Sequence, residues 1–479
     1  MAAATSSIIY FRDYYKMNKE ELKRGLGLNA ATMIVAGSMI GTGIFLKPAL
    51  MAGQVFSPEL LILVWVVAGT ITFIGALVNA EIAGFIDATG GQYIYFKEMY
   101  GNFVAYIYGW SILAVIQTGS QAAIAYGFAK YCNYFFNLSA APAGLGNFFF
   151  HLPLIGDIRP FAEFGTKSIA IIAIILLTGI NYIGVVFGGA VQTVVTWIKI
   201  ASIITLSFLL LFLGHGSIHN LSNGFAFPHS GGNIISAIGL ALAGAFWAYD
   251  GWNNGTFIAG EVKNPQRNVP LSLLYGTAIV MVVYVLINVA FLYVFPIEQM
   301  KGLPLVAASA AEKIFGSTGA TIISLAVIVS SFGALNGSIL ATARVQYAMA
   351  RSKMFFLSLG KVHPKFRTPH ISLAVQGMWS AILVLSGTFD TITDYVIFAA
   401  WLFYMLGAIG VFILRKKYKD VYRPYKVWGY PYLPLIIILF SLLFLINSVI
   451  SDFQNTMMGA FLIALGLPFY WYWKKKAKE

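Results

Sequence analysis

Of 479 residues, 59% are hydrophobic and 10% charged, against roughly 25% charged in soluble domains. The formal net charge of +13 could suggest a nucleic-acid partner, but the basic residues sit in short loops between long apolar runs, where they read as topology signals. A single cysteine, Cys132, excludes a disulfide framework or a cysteine metal site within the chain, and His215 and His219 have no carboxylate near them, so an integral membrane protein without metal or cofactor is expected.

Residues 1–27 form a polar arm of mixed charge. Twelve apolar spans follow, at about 28–50, 59–84, 102–131, 167–185, 190–213, 233–260, 271–295, 318–350, 370–387, 391–414, 431–450 and 455–473. Crossing a bilayer takes about 20 apolar residues. Span 1 carries GSMIGTGIF at its centre, with Gly37, Gly41 and Gly43 around Thr42. Two glycines flanking one threonine invite the helix to open, and bared backbone in hydrocarbon must be covered by a neighbour or a ligand. The same glycines would also serve close helix packing, and both readings stand. Glu81 in span 2, and Glu261 with Arg267 after span 6, lie near span ends and read equally well as an inner gate or as anchors.

The loop at 137–166 is the longest, and the one at 214–232 has no Lys or Arg. Residues 303–314 suit a short surface helix. The arm, the loops after spans 8 and 10, and the tail at 474–479 are rich in Lys and Arg, which places both termini in the cytoplasm. Span 5 holds Lys199 within VVTWIKIASIITL, about 13 Å of helix from the span's start, far for a lysine to reach the interface. Span 6 is interrupted by Asp250-Gly251-Trp252-Asn253-Asn254-Gly255, and an acid inside a span marks function by default.

Spans 1–5 (28–213) and 6–10 (233–414) are blocks of similar length, each opening with an interrupted helix. Five spans per block invert the second, and 431–473 adds two accessory helices. This pattern points to a transporter with its site at the repeat interface. The half-helix starting at Gly43 offers N–H groups to an anion, and the one ending near Tyr249 offers carbonyls to a cation. An α-amino acid zwitterion supplies both.

GSMIGTGIF, FWAYDGWNN followed by GEVKNPQRNVP, and SSFGALNGSILATAR in span 8 resemble the L-type amino-acid transporter family of the amino acid–polyamine–organocation superfamily. The resemblance implies an all-α leucine-transporter-type fold of 12 transmembrane helices, a 5+5 inverted repeat with helices 1 and 6 broken. It places the substrate carboxylate at the N–H groups of Thr42 and Gly43, beside the Thr42 hydroxyl, and the amine at the carbonyls of Met39, Trp247 and Asp250. Ile40, Gly41 and Tyr249 belong to the opened turns, Trp247 matches a gating aromatic, and Asn253 and Asn336 match polar positions near the breaks. Ser120, Phe398 and Trp401 match the pocket wall. Asp250 replaces a glycine usual in animal members; it would sense the amine or cap the second half-helix, and the preference of Asp for helix starts favours the cap.

Na⁺-independent relatives carry a lysine at the position of Lys199, aimed where Na⁺-coupled relatives bind the ion. Its ammonium would meet carbonyls of Gly37 or Ile40 and hydroxyls of Ser330 or Ser331. A charged Lys199 would be a permanent strut; a titrating one would serve a proton-coupled cycle.

The expected function is Na⁺-independent exchange of neutral L-amino acids by alternating access, small ones such as alanine, serine or threonine first. The alternatives are an H⁺-coupled symporter and a non-transporting amino-acid sensor. An enzyme is not expected, since no nucleophile set, His-Glu-x-x-His or paired carboxylates occur among the spans. Expected partners are the L-amino-acid substrate and membrane lipid, with no nucleic acid. Animal relatives hold a heavy subunit through a cysteine in the loop after span 3; here that loop has none, so no disulfide-linked heavy subunit is expected. The expected location is the plasma (inner) membrane.

Overall fold

The computed structural model describes residues 24–86, 90–142, 144–183, 189–222, 234–366 and 368–476. Most of the expected N-terminal arm, half of the 214–232 loop and the last three residues of the tail lie outside them.

Helix α1 (Leu28–Met39) stops where Ile40 turns to φ −75°, ψ 86°, and α2 (Gly43–Val55) restarts after Thr42. Helices α3 (Pro58–Phe85), α4 (Gln92–Tyr100) and α5 (Asn102–Phe136) follow. Then come α6 (Phe164–Ile183), α7 (Gly189–Leu213) and α8 (Ile234–Tyr249). Beyond α8, Gly251 at φ 96° turns the chain into a 3-10 segment, Trp252–Thr256. The order closes with α9 (Pro265–Val294), α10 (Val306–Arg351), α11 (His370–Leu385), α12 (Phe389–Lys417), α13 (Tyr432–Ser451), α14 (Phe453–Ala464) and α15 (Gly466–Lys476). A hairpin pairs Phe150–Leu152 with Gly156–Ile158 in the long loop after α5.

Among the described residues, ten helices are long and apolar enough to cross a membrane. The expected last span, 455–473, is instead two short helices meeting at Leu465. Gly466 is a poor helix former, and Pro468 has no N–H to return to the carbonyl of Ala464. The surface helix expected at 303–314 is the first part of α10, set off by a break at Gly316 (φ 62°, ψ −157°).

Helix α9 packs on α1, α3 and α7, α8 packs on α2 and α3, and the 3-10 segment lies against α1. Both interruptions therefore face one another inside the bundle. Helix α5 reaches the same place with a π turn at Ile112–Ile116. The loosened carbonyls there find outside donors: Thr118 Oγ1 bonds Leu113 O at 2.6 Å and Trp379 Nε1 bonds Ala114 O at 2.8 Å.

The two sequence readings of Glu81 reduce to an anchor in this conformation. Its carboxylate accepts Arg415 Nε at 2.9 Å and Nη2 at 2.7 Å, and the Val427 N–H at 2.8 Å; Arg423 Nε stands at 3.4 Å. Removing one partner of a buried pair costs about 3–5 kcal/mol. Arg415 is 25% exposed, so Glu81→Ala is expected to cost less, about 2 kcal/mol. Thermal unfolding of the purified protein in detergent measures this, with Glu298→Gln, on the exposed Lys301–Glu298 pair, as the near-neutral comparison.

Candidate functional site

Between the two interruptions lies a cavity of about 30 Å³. Ser38, Met39, Gly41, Thr42 and Gly43 line it from the α1–α2 break, and Trp247, Asp250, Gly251 and Asn254 from the α8 break. Gln117, Ser120 and Ile124 of α5 and Ala334 and Ser338 of α10 close the sides.

The α1–α2 break is held at defined atoms. Gly41 N–H donates to Met39 O at 2.9 Å, and Phe45 N–H to Thr42 O at 3.2 Å. Thr42, Gly43 and Ile44 stand at the start of α2, where backbone N–H groups have no partner within their own helix. Gly43 is required for the approach of the two chains: a Cβ there would sit 2.8 Å from Ala248 Cα. Breaking and close packing, the two readings of these glycines, are both realised. Gly251 meets α1 in the same way, and its φ of 96° disfavours any side chain.

The carbonyl ends are tied together by a residue the sequence reading missed. The Tyr284 hydroxyl lies 2.8 Å from Met39 O and 3.1 Å from Ala248 O, so one phenol from α9 spans the ends of both half-helices. Trp247 O accepts the Asp250 N–H at 3.1 Å. Carbonyls have two lone pairs, so Trp247 O keeps capacity for a further donor, while Met39 O, which takes the Gly41 N–H and the Tyr284 hydroxyl, gains it when the phenol donates to Ala248 O instead.

Asp250 does not cap a second half-helix. Gly251 holds that place, the segment beyond is 3-10, and no side chain caps it. Asp250 Oδ1 instead accepts the Tyr404 hydroxyl of α12 at 2.6 Å. The carboxylate also takes the Gly251 N–H, so it serves the turn itself and a tyrosine across the bundle instead of the start of the 3-10 segment.

Of the substrate-binding residues expected, Met39, Gly41, Thr42, Gly43, Ser120, Trp247 and Asp250 line the cavity; Ile40, Tyr249 and Asn253 do not. Tyr249 packs against Trp65 and Tyr284 and bonds Trp65 O at 3.2 Å. Asn253 donates to Gln92 Oε1 at 2.9 Å, and Asn336 accepts from Asn181 at 2.7 Å, so both tie elements together. Trp401 lies in an aromatic cluster with Phe246, Phe440 and Phe444, and neither it nor Phe398 lines the cavity. The missed wall is polar: Gln117 donates to Asn254 Oδ1 at 3.1 Å and accepts from Ser338 at 3.4 Å and Thr342 at 3.3 Å. Its signal was present as spacing, since Gln117, Ser120 and Ile124 share one helical face, as do Ala334 and Ser338. Three lining groups, Thr42 Oγ1, Ser120 Oγ and Trp247 Nε1, are buried without a hydrogen-bond partner.

Lys199, 6% exposed, donates from Nζ to Ile40 O at 3.2 Å, one of the contacts expected of it. Ser331 turns back to Val327 O in its own helix at 2.7 Å, and Ser330 Oγ is buried without a partner. Gly37 serves packing, since a Cβ there would meet Gln192 Nε2 at 2.9 Å. Glu261 pairs with Arg344 of α10, through Nε at 2.9 Å and Nη2 at 2.8 Å, and so ties the stretch after α8 to α10.

A family model described as amino acid permease matches residues 26–467. The chain belongs to the amino acid permease family. That family lies in the amino acid–polyamine–organocation superfamily, whose members are transporters and not enzymes. The permease is 34% identical over 460 residues to the serine/threonine exchanger SteT of Bacillus subtilis, covering 95% of this chain and 98% of that one. It is 31% identical over 460 residues to the b(0,+)-type amino acid transporter 1 of Mus musculus, covering 95% and 89%. It is 30% identical over 461 residues to the large neutral amino acids transporter small subunit 2 of Mus musculus, covering 95% and 83%. The resemblance read from the three motifs therefore holds along the chain.

Because the neighbour of Gly43 is backbone, Gly43→Ala must force α2 and α8 apart. The expected outcome is loss of amino-acid-dependent thermal stabilisation in the purified permease, while Gly407→Ala, where a Cβ meets nothing within 4 Å, keeps it.

Proposed function

We propose that this permease exchanges neutral L-amino acids across the plasma membrane by alternating access, without Na⁺, and that small polar ones such as serine and threonine are the first substrates. The observation that carries this is the meeting of two interrupted helices on one cavity that keeps unpartnered polar groups. The substrate carboxylate is assigned to the start of α2 at Thr42 and Gly43, the amine to the carbonyls of Met39 and Trp247, and the side chain to the wall of Gln117, Ser120 and Ser338. A cavity of about 30 Å³ has room for about one water, so this conformation is closed around the site and must widen to admit an amino acid. The polar wall and the name of the Bacillus relative both support a small hydroxylated substrate.

The same reading takes the fold as twelve membrane helices, the last of them made of α14 and α15 in succession. Residues 1–27 are the cytoplasmic arm, 28–213 and 233–414 the inverted repeats, 431–473 the accessory helices and 474–479 the tail. Both termini are cytoplasmic by the distribution of Lys and Arg, and no disulfide-linked heavy subunit is needed. Lys199 stands in for a diffusible cation: its ammonium covers the Ile40 carbonyl that the break bares.

Reconstituted in liposomes loaded with unlabelled serine, the permease is expected to take up labelled serine or threonine equally with and without an inward Na⁺ gradient. Stimulation by a Na⁺ gradient would overturn the strut role of Lys199, and concentrative uptake driven by an H⁺ gradient into empty liposomes would establish the competing symport. Lys199→Ala removes a charge-assisted bond worth about 1.5–3 kcal/mol, so exchange is expected to fall about tenfold or more.

A further inference from the structure

We propose that Trp379, on a helix that stands behind the cavity, is a positioning residue that sets its preference for hydroxylated side chains: the indole holds the π turn of α5 open, and the turn aims Gln117 and Ser120 at the substrate. This rests on the reading in which that polar wall takes the substrate side chain.

None of the described residues of α11 lines the cavity. Yet Gln376, Trp379 and Ser380 share one face of it and donate toward the two helices that form the wall. Gln376 Nε2 bonds Ile339 O of α10 at 2.6 Å, directly beside the lining residue Ser338. Trp379 Nε1 bonds Ala114 O within the π turn at 2.8 Å, and Ser380 Oγ bonds Gln121 Oε1 one turn beyond Gln117 at 2.8 Å. Gln121 in turn donates to Thr342 Oγ1 at 3.4 Å, whose hydroxyl stands 3.3 Å from Gln117 Oε1. The backing helix is itself seated hard on α6, where a Cβ on Gly377 would overlap the Thr178 hydroxyl.

The π turn depends on donors from outside the backbone. The Gln117 N–H reaches back five residues to Ile112 O, so Leu113 O takes the Thr118 hydroxyl and Ala114 O takes the indole. Without the indole, the donor nearest in the helical pattern to Ala114 O is the Thr118 N–H four residues on. Closing that bond restores the α-helix and removes the extra residue, and each residue of an α-helix turns it by about 100°. Gln117, Ser120 and Ile124 would then face away from the cavity they now line.

The test is exchange in liposomes, with labelled serine and labelled alanine compared. Trp379→Phe keeps the ring and removes the donor. It is expected to raise the KM for serine about tenfold, while the KM for alanine and kcat for both stay within about twofold. Thr118→Val, which removes the hydroxyl from Leu113 O, carries the same expectation should Trp379→Phe not fold. Trp379→Phe combined with Gln117→Ala is expected to have a serine KM no higher than Gln117→Ala alone, since the indole acts through that face. A bundle merely loosened would raise both KM values together. Equal rises for serine and alanine, an unchanged serine KM, or losses that multiply in the double variant would each overturn the role of Trp379. A parent protein that exchanges no amino acid removes the transport reading; a parent that exchanges, with Trp379→Phe keeping its preference for serine, removes the role of the indole alone.

Discussion

Backbone inside a bilayer has no water to turn to, so an interrupted helix must find its partners in protein or ligand. This chain carries two interruptions and sets them face to face. Ile40 O takes the Lys199 ammonium, Met39 O takes the Tyr284 phenol and the Gly41 N–H, and Trp247 O takes the Asp250 N–H. The same phenol reaches Ala248 O, so the carboxy ends of α1 and α8 are fixed relative to each other through one side chain of a third helix. Three of the groups left over, Thr42 Oγ1, Ser120 Oγ and Trp247 Nε1, belong to residues that line the cavity. A molecule with a carboxylate and short polar arms would complete the set.

Helix α5 is shaped for the same purpose. A π turn inserts one residue into the helical count and so rotates everything beyond it. Here the turn ends at Ile116, directly before Gln117, and the rotated face presents Gln117, Ser120 and Ile124 to the cavity. The bonds of Gln117 to Asn254, Ser338 and Thr342 then lock that phase against α10 and the 3-10 segment. A buried polar network of this kind is costly when half satisfied and rigid when complete, which fixes the wall of the cavity in one arrangement.

Much of this was legible in the sequence, and what was not shares one cause. Gly41-Thr42-Gly43 and Asp250-Gly251 announce breaks through local conformational preference, and Lys199 announces itself as a charge in an apolar run. Those signals need only neighbours in sequence. The errors concern partners far away along the chain. The Asp250 carboxylate goes to Tyr404, 154 residues on, where a local rule favoured the adjacent helix start. Ile40, Tyr249 and Asn253 sit in the right turns but face Lys199, Trp65 and Gln92, because rotation about the break is set by tertiary packing. Lys47 passed as one more member of an apolar span, since its acids lie 343 residues later.

Two buried lysines of the bundle meet partners of different chemistry. Lys199 bonds a neutral carbonyl that belongs to the break itself. Withdrawing it would leave an unpaired carbonyl in a dry interior, at a cost of about 2–7 kcal/mol, so the break between α1 and α2 is anchored there. Lys47 bonds carboxylates that already reach water. The same segment is therefore held twice by ammonium groups, at its break through a backbone carbonyl and within α2 through the side-chain carboxylates of Asp390 and Asp394 in α12. The interruption is thus tied to the bundle at the break itself and again a little over one turn beyond it.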